Sequence, residues 1–440
     1  MSFPSSAAAL VALAVCPWAP PAPAQAAPRA FVGARIEPCD GPTIERGTLL
    51  VQDGKIVAVG AVDEVRVPEN ATTVDAAGRT IVPGLVCSHS HIGSVAGADG
   101  SGPIQPEVRA LDSINPRDPG IQKAQAGGIT TVNVMPGSGH LLSGQTIYLK
   151  LRDVDTVEEL AVRNADGSIA GGIKMANGTN PQRPPPFPGT RGKAAALIRA
   201  ALHRAREYQT KVAAADGDPA KLPEKSLAME ALVEALQGKR VVHHHTHRQD
   251  DILTVLRLQR EFGFRCVLHH VSEGWLVAEQ IAAAGVPCSV IVIDSPGGKL
   301  EAARLSLTTG AVLDRAGVLV GFHTDDGITD SRLFLRSGAL AVRAGMDREK
   351  ALQALTIANA RMLDLQDRVG TLTPGKDADF VVLSGDPFSV YTRVLETWVE
   401  GELVFDLADP QDRLFAEGGY GASDDQALSL CCYEVQGGQQ

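Results

Sequence analysis

Nine of the chain's eleven histidines fall in four clusters, and each cluster closes a short apolar run. Ser88-His89-Ser90-His91 follows Val82-Pro-Gly-Leu-Val86; His243-His-His-Thr-His247 follows Arg240-Val-Val; His269-His270 follows Arg265-Cys-Val-Leu; His323-Thr-Asp325 follows Val318-Leu-Val-Gly-Phe322. Apolar runs of four to six residues read as strands buried on both faces. Between them lie stretches with helical period: Ala228, Ala231, Leu232, Ala235 and Leu236 before Gly238, then 250–262, 273–284 and 299–316. Strand and helix alternating at this tempo predict a parallel sheet. Further candidate strands, at 128–134, 168–174 and 286–293, join the four that end in histidine clusters, the first at 80–87, to give seven of the eight staves of a closed (β/α)8 TIM barrel, the fold expected. A doubly wound open sheet is the alternative, but no strand is followed by GxGxxG. The polar residues sit at the carboxyl ends of strands, where barrel enzymes keep their sites.

The flanks differ in style. Gly47-Thr-Leu-Leu-Val51 and Lys55-Ile-Val-Ala-Val59, separated by Asp53-Gly54, read as a hairpin, and 370–383 and 397–405 repeat the pattern of short strands and Gly turns. Both ends together predict one small composite β-sandwich. The expected organisation is a leader over 1–27, an amino-terminal sandwich segment over 28–80, the barrel over 81–369, a carboxyl-terminal sandwich segment over 370–408, and a loosely ordered tail over 409–440. Within the barrel, 177–225 reads as an insertion beside the mouth, with Pro184-Pro-Pro-Phe-Pro188 and a charged helix from Arg191 to about Ala215.

The leader joins an apolar run, 7–15, to a small-residue end, Ala24-Gln-Ala26. That is the form of a cleavable export signal, implying a periplasmic or extracellular protein. It lacks a basic start, so an Ala/Pro-rich disordered leader on a cytoplasmic protein is the other reading. The run is too short to span a bilayer. Acidic residues outnumber basic ones 51 to 41, for a net charge of -10, and no Lys/Arg block exists to neutralise phosphates, which excludes a nucleic-acid binder. The seven cysteines show no CxxC and no regular spacing, hence no disulfide scaffold. A small-molecule substrate is the expected partner, and a homo-oligomer is left open.

Along a strand, residues two apart share a side, so His89 and His91 can face one metal ion. One such pair is weak evidence, but four clusters at four strand ends converge. Imidazole and carboxylate donors suit a divalent metal, zinc first, with iron or manganese as alternatives, in one or two copies. Asp325 is the candidate to shuttle the proton of a metal-activated water, whereas Asp326 should point away and act as a cap. The loop Gly137-Ser-Gly-His-Leu-Leu-Ser-Gly-Gln145 suits a site mouth, where His140 and Gln145 would touch substrate, or else plain surface duty.

Pro83-Gly-Leu-Val-Cys-Ser-His-Ser-His91 resembles the first-strand signature of the amidohydrolase superfamily. Ala126-Gly-Gly-Ile-Thr-Thr-Val132, His245-Thr-His-Arg-Gln-Asp-Asp-Ile252 and Gly370-Thr-Leu-Thr-Pro-Gly-Lys-Asp-Ala-Asp-Phe-Val-Val-Leu383 extend the resemblance toward the imidazolonepropionase-like and dipeptidase-like branch. The resemblance implies His89, His91, His245, His270 and Asp325 as metal ligands, and Lys174 as a carboxylated bridge to a second metal. By strand parity, His247 shares a side with His245 and would lie beside substrate or a second metal, and His269 would face outward; His243, deeper in its strand, and His323 would stand behind the ligands. The reaction implied is hydrolysis of a C–N bond in a cyclic amide, amide or dipeptide. A dipeptidase, Xaa-Pro-like or other, would need a cation for the substrate carboxylate, with Arg248 the candidate; a catalytically silent relative is the non-enzyme alternative. Two positions depart from the pattern: Cys87 stands where an aspartate is common, and Thr179 where an acidic residue is frequent.

Overall fold

The computed structural model describes residues 27–93, 99–293 and 299–418. The expected leader, apart from Ala27, and the tail beyond 418 lie outside them. No helix among the described residues is long and apolar enough to cross a membrane.

The first five strands are β1 (Arg29–Ile36), β2 (Ile44–Gln52), β3 (Lys55–Ala61), β4 (Thr72–Asp75) and β5 (Thr80–Pro83). Then come β6 (Leu85–Ser90), β7 (Ile129–Val134), β8 (Leu142–Gln145), β9 (Ile147–Lys150) and β10 (Ile173–Ala176). The histidine-bearing region holds β11 (Val242–Thr246), β12 (Cys266–His270), β13 (Cys288–Val290) and β14 (Val320–Phe322). The last three are β15 (Phe380–Leu383), β16 (Val394–Val399) and β17 (Glu402–Asp406).

Both chain ends enter one eight-stranded mixed sheet in the order β17-β16-β15-β5-β1-β2-β3, with β4 on β1. Its core is aromatic: Phe31 meets Phe380 edge-on at 4.9 Å, and Phe380 stacks on Trp398 at 5.6 Å. The sandwich expected from the two ends is, among the described residues, this single sheet.

The central strands form two arcs, β14-β13-β12-β11-β10-β8 and β6-β7-β9. β6 and β7 are parallel, as are β10 through β14. The expectation of parallel strands throughout fails at one place. Leu142–Gln145 and Ile147–Lys150 form one stave, broken at Thr146, that runs antiparallel to β10 on one side and to β7 on the other. The reason is loop length: β7 ends at Val134 and β8 begins at Leu142, too few residues for the dozen or so a parallel crossover requires. Between β14 and β6 the link is narrow. The Asp325 N–H donates to the His89 carbonyl at 3.0 Å, and the buried Asn359 amide donates to both Val86 O and Phe322 O at 2.6 Å.

Helices cover the outside of these arcs. Leu227–Leu236 starts on Ser226, whose hydroxyl accepts from Met229 N, and Gln249–Phe262 buries Ile252, Val255, Leu256 and Phe262 before stopping at left-handed Gly263. Arg191–Ala214 buries Ala194, Ile198, Ala201, Leu202 and Ala205, so the helix of the predicted insertion belongs to the outer layer. The single helix expected over 299–316 is split into a 3-10 turn, Leu300–Ala302, and Thr309–Arg315, because Ser306 Oγ accepts from Thr308 N and turns the chain between them. The first residues of the predicted loose tail are instead a helix, Pro410–Glu417, started by the Asp409 carboxylate and by proline at its first position.

A buried lysine ties the end sheet to the arcs. Lys150 on β9, 1% exposed, pairs with Asp377 at 3.0 Å and with Asp379, the two aspartates of the Gly-Lys-Asp-Ala-Asp motif. Burial would raise both carboxyls; at Asp377, Lys150, Lys55 and Arg368 together win and hold it at about 2, whereas at Asp379 burial prevails. Removing one partner strands the other charge in the interior, at a cost of about 3–5 kcal/mol. Lys150→Ala should therefore lower the unfolding free energy by that amount in urea titration. A loss under about 1 kcal/mol, the range of exposed pairs, would show the tie to be unimportant.

Candidate metal centre

At the carboxyl ends of the parallel strands, three overlapping groups of donors converge, one of them His89, His270 and His323. The first is His89 on β6, His91 just beyond it and Asp325 just beyond β14, with one donor atom from each lying within 4.8 Å of the others. Asp325 Oδ1 is 3.1 Å from His89 Nε2 and 3.0 Å from His91 Nε2. His91 Nδ1–H donates to Met135 O at 2.7 Å, which fixes its tautomer and turns Nε2 toward Asp325. Lys174, wholly buried on β10, reaches the same point with Nζ 3.0 Å from His89 Nε2 and 3.1 Å from Met135 Sδ. The second group is His245 on β11, His247 beyond it and His270 at the end of β12. Asp325 faces this group too, its Oδ2 3.9 Å from His270 Nδ1.

The expectation that His269 packs outward is wrong. Its side chain is fully buried, Nε2 lies 3.0 Å from His243 Nδ1, and its ring meets His89 at 4.9 Å. Strand alternation assumes extended backbone, but His270 has φ +72° and Val271 φ +45°. That left-handed turn ends the alternation, so His269 and His270 both face inward. Asp325 uses the same device with φ +50°.

A layer of polar groups stands behind the ligand candidates. His323 Nε2 is 3.2 Å from His270 Nδ1, its Nδ1 is 2.8 Å from Ser289 Oγ, and Ser289 meets Ser88 Oγ at 2.7 Å. His243 lies between His269 and the Tyr148 hydroxyl, 3.0 Å from each. Asp326 turns away, as expected, and its carboxylate caps the turn at Ser331. Burial pushes it up to about 6.

Of the residues assigned to substrate, His247 joins the second group and hydrogen-bonds Ser272 Oγ at 2.7 Å. His140 is buried against the Phe187 ring at 5.1 Å. Gln145 lies in β8 and donates to Pro106 O at 3.3 Å. Arg248 is held by both oxygens of Asp250 at 3.0 Å. Sequence reasoning missed four groups at the mouth or behind it: Asn180, Ser272, Lys299 and Glu301. Lys299 Nζ stands 3.5 Å from His247 Nε2, and Asn180 Nδ2 is 3.1 Å from His245 Nε2. Lys299 and Glu301 open the 299–316 stretch read as one helix, and Asn180 and Ser272 lie outside any periodic run, so only the fold brings them to the site.

The electrostatics match metal donors. Burial, reinforced by Lys174 or Lys299 and by neighbouring rings, holds His89, His245, His247 and His270 well below the usual imidazole range, hence neutral. Burial would raise Asp325, but His89 and His270 hold it well below the usual carboxylate range, hence ionised. In the second group, His245 Nδ1 and His270 Nε2 are buried with no hydrogen-bond partner. Stranded groups of this kind cost about 1–3 kcal/mol each, unless something accepts their lone pairs. Tetrahedral ligands on zinc lie roughly 3.4 Å apart for bonds of about 2.1 Å; the 3.0–3.1 Å separations here need only a few tenths of an ångström of opening. The donor set fits a divalent ion.

The amidohydrolase family model matches residues 120–405. The crystal structure of an amidohydrolase from Thermotoga maritima MSB8 is 34% identical with a TM-score of 0.79, over 86% of this chain and 99% of that one. Amidohydrolase tasK of Hapsidospora irregularis is 29% identical over 82% of this chain, which spans only 39% of that relative's length. An imidazolonepropionase of Mesorhizobium japonicum is 26% identical over 77% of this chain and 86% of its own. The chain belongs to the amidohydrolase family, whose members are hydrolases acting on carbon–nitrogen bonds.

Neutral buried histidines give the metal-free protein a pH signature. His243 is lowered to about 3 and His244 to about 4, by burial first. Both are neutral, folded or unfolded, above about pH 6.5; below it the unfolded chain takes up protons that the folded one refuses. After chelation, unfolding free energy should fall by about 1.4 kcal/mol per pH unit for each such histidine between about pH 6 and 4. Urea titrations across that range read the slope, and a flat profile contradicts the assignment.

Proposed function

We propose that this chain is a metal-dependent amidohydrolase that cleaves the C–N bond of a cyclic amide, an amide or a dipeptide. The observation that carries the reading is the Asp325 carboxylate, set against His89 and His91 on one side and facing His270 on the other. In this reading β6 to β14 close into a barrel at the Asn359 seam, and 28–80 with 370–408 form its companion domain. His89, His91 and Asp325 would hold one ion and His245 and His270 a second, with Lys174 bridging them as a carbamate. Zinc suits the set, and iron or manganese would also be accepted. Such an ion supplies an electrophile and brings the pKa of a coordinated water from about 15.7 to about 7.

The protein's own groups do the rest. Asp325, ionised and buried, accepts a proton from the attacking water and returns it to the leaving nitrogen. Its backbone N–H, bound to His89 O, keeps the carboxylate in place during that transfer. Lys299 Nζ, 3.5 Å from His247 Nε2, would be the cation nearest the second donor group for a substrate carboxylate to approach. That observation favours a dipeptidase, Xaa-Pro-like or other, as the second reading, with Arg248 set aside because Asp250 occupies it. The complete donor set argues against a silent relative.

Purified protein should carry about one or two equivalents of a transition metal by mass spectrometry and hydrolyse a member of a panel of cyclic amides and dipeptides. Chelation should abolish turnover, re-addition should restore it, and Asp325→Asn should lower kcat by about 10²–10⁴-fold, the usual contribution of a general base. Protein that takes up no transition metal and stays inert after reconstitution would overturn the proposal.

A further inference from the structure

We infer that Glu301 sets the tautomer of His245, drawing the ring proton onto Nε2 so that the Nδ1 lone pair faces the metal centre. Glu301 begins outside every motif, in the 3-10 turn Leu300–Ala302, yet its side chain is 1% exposed. Oε2 accepts from Thr179 N at 2.7 Å and lies 3.9 Å from Arg191 Nη2. Oε1 is buried, has no hydrogen-bond partner and points at His245 Nε2 from 3.9 Å. Room for the carboxylate is kept by Gly178, where a Cβ would sit 2.4 Å from Glu301 Oε2. The acidic group missing at Thr179 is thus replaced from a different loop, and Thr179's own backbone holds the replacement.

The hydrogen-bond accounting decides between the tautomers. Asn180 Nδ2 donates to Ser138 Oγ at 2.8 Å and lies 3.1 Å from His245 Nε2. If Nε2 accepts from it, the proton sits on Nδ1, which is buried and has no acceptor. If the amide, isosteric end for end, turns over, Nε2–H is shared between Asn180 Oδ1 and Glu301 Oε1. Both Glu301 oxygens are then used, and Nδ1 is left as a bare lone pair, as a metal ligand requires. A closing movement of about 1 Å brings Oε1 within hydrogen-bond range. Glu301 is therefore a positioning residue. Its effect on metal affinity rests on the proposed function, but its effect on the tautomer does not.

The test uses full-length protein with ¹⁵N-labelled histidine, and His245 assigned by substitution. In the metal-free wild type, multiple-bond ¹⁵N spectra should show His245 as the Nε2–H tautomer. In Glu301→Gln, the amide oxygen must serve Thr179 N, which turns the amide NH₂ toward His245 Nε2. That variant should move His245 to Nδ1–H and bind the second equivalent of Zn²⁺ about 10–100-fold more weakly, with the first unchanged. An Nδ1–H tautomer in the wild type, or a variant unchanged in both readouts, overturns the inference. The wild-type spectrum needs no variant to fold. A wild type that binds no Zn²⁺ would defeat the functional proposal while leaving the tautomer result standing.

Discussion

A single carboxylate organises the interior of this protein. Asp325 is 2% exposed, ionised, and surrounded by imidazoles that burial keeps neutral. An ionised group so deep is tolerated only where positive charge and hydrogen bonds answer it. The architecture around it fixes the carboxylate and the rings in place. The backbone N–H of Asp325 reaches across the seam to His89 O, the Asn359 amide clips β6 to β14 beneath it, and the left-handed turn at His270 swings a third ring toward it. The same turn brings His269 inward, so one backbone conformation supplies both a ligand candidate and a member of the supporting layer.

That turn also marks where reading the sequence by parity stops working. His89 with His91 and His245 with His247 obey the two-residue period because their strands stay extended up to the site. His269 and His270 do not, since a positive φ at a non-glycine residue leaves no signature in residue type. The antiparallel stave at Leu142–Lys150 begins inside the stretch 137–145, whose small polar residues read as a loop, so the strand and its direction appear only in the structure. Asn180 lies in an irregular segment, and the helical period over 299–316 does not say where Lys299 and Glu301 point. Their burial against histidines is a product of tertiary structure alone.

The Gly-Lys-Asp-Ala-Asp motif near the carboxyl end supports the family resemblance, yet its physical meaning appears only with Lys150. A lysine buried on β9 requires carboxylates, and Asp377 and Asp379 arrive from the far end of the chain to supply them, with Glu400 at 3.9 Å. Burying an ion triad seldom gains much stability over well-packed apolar groups. It does penalise any register of β15 that leaves one charge alone. On this view the motif specifies how the carboxyl-terminal strands dock on β5, and the Asp379 carboxylate, accepting from Glu400 N, extends the control to the turn after β16.

Selectivity would then arise from elements that the family pattern leaves free. The inward strand ends supply the donors, whereas the groups over them come from two other stretches. One runs from Gly178 to Phe187, where Arg183 covers the Phe187 ring and that ring covers His140. The other holds Lys299 on His247 and Glu301 near His245. The two stretches meet where Thr179 N binds Glu301, so a change in either is felt by the other through one charge-assisted hydrogen bond. In the proposed reaction a substrate carboxylate would approach Lys299, whereas Glu301 is committed inward, to Thr179 N and toward His245.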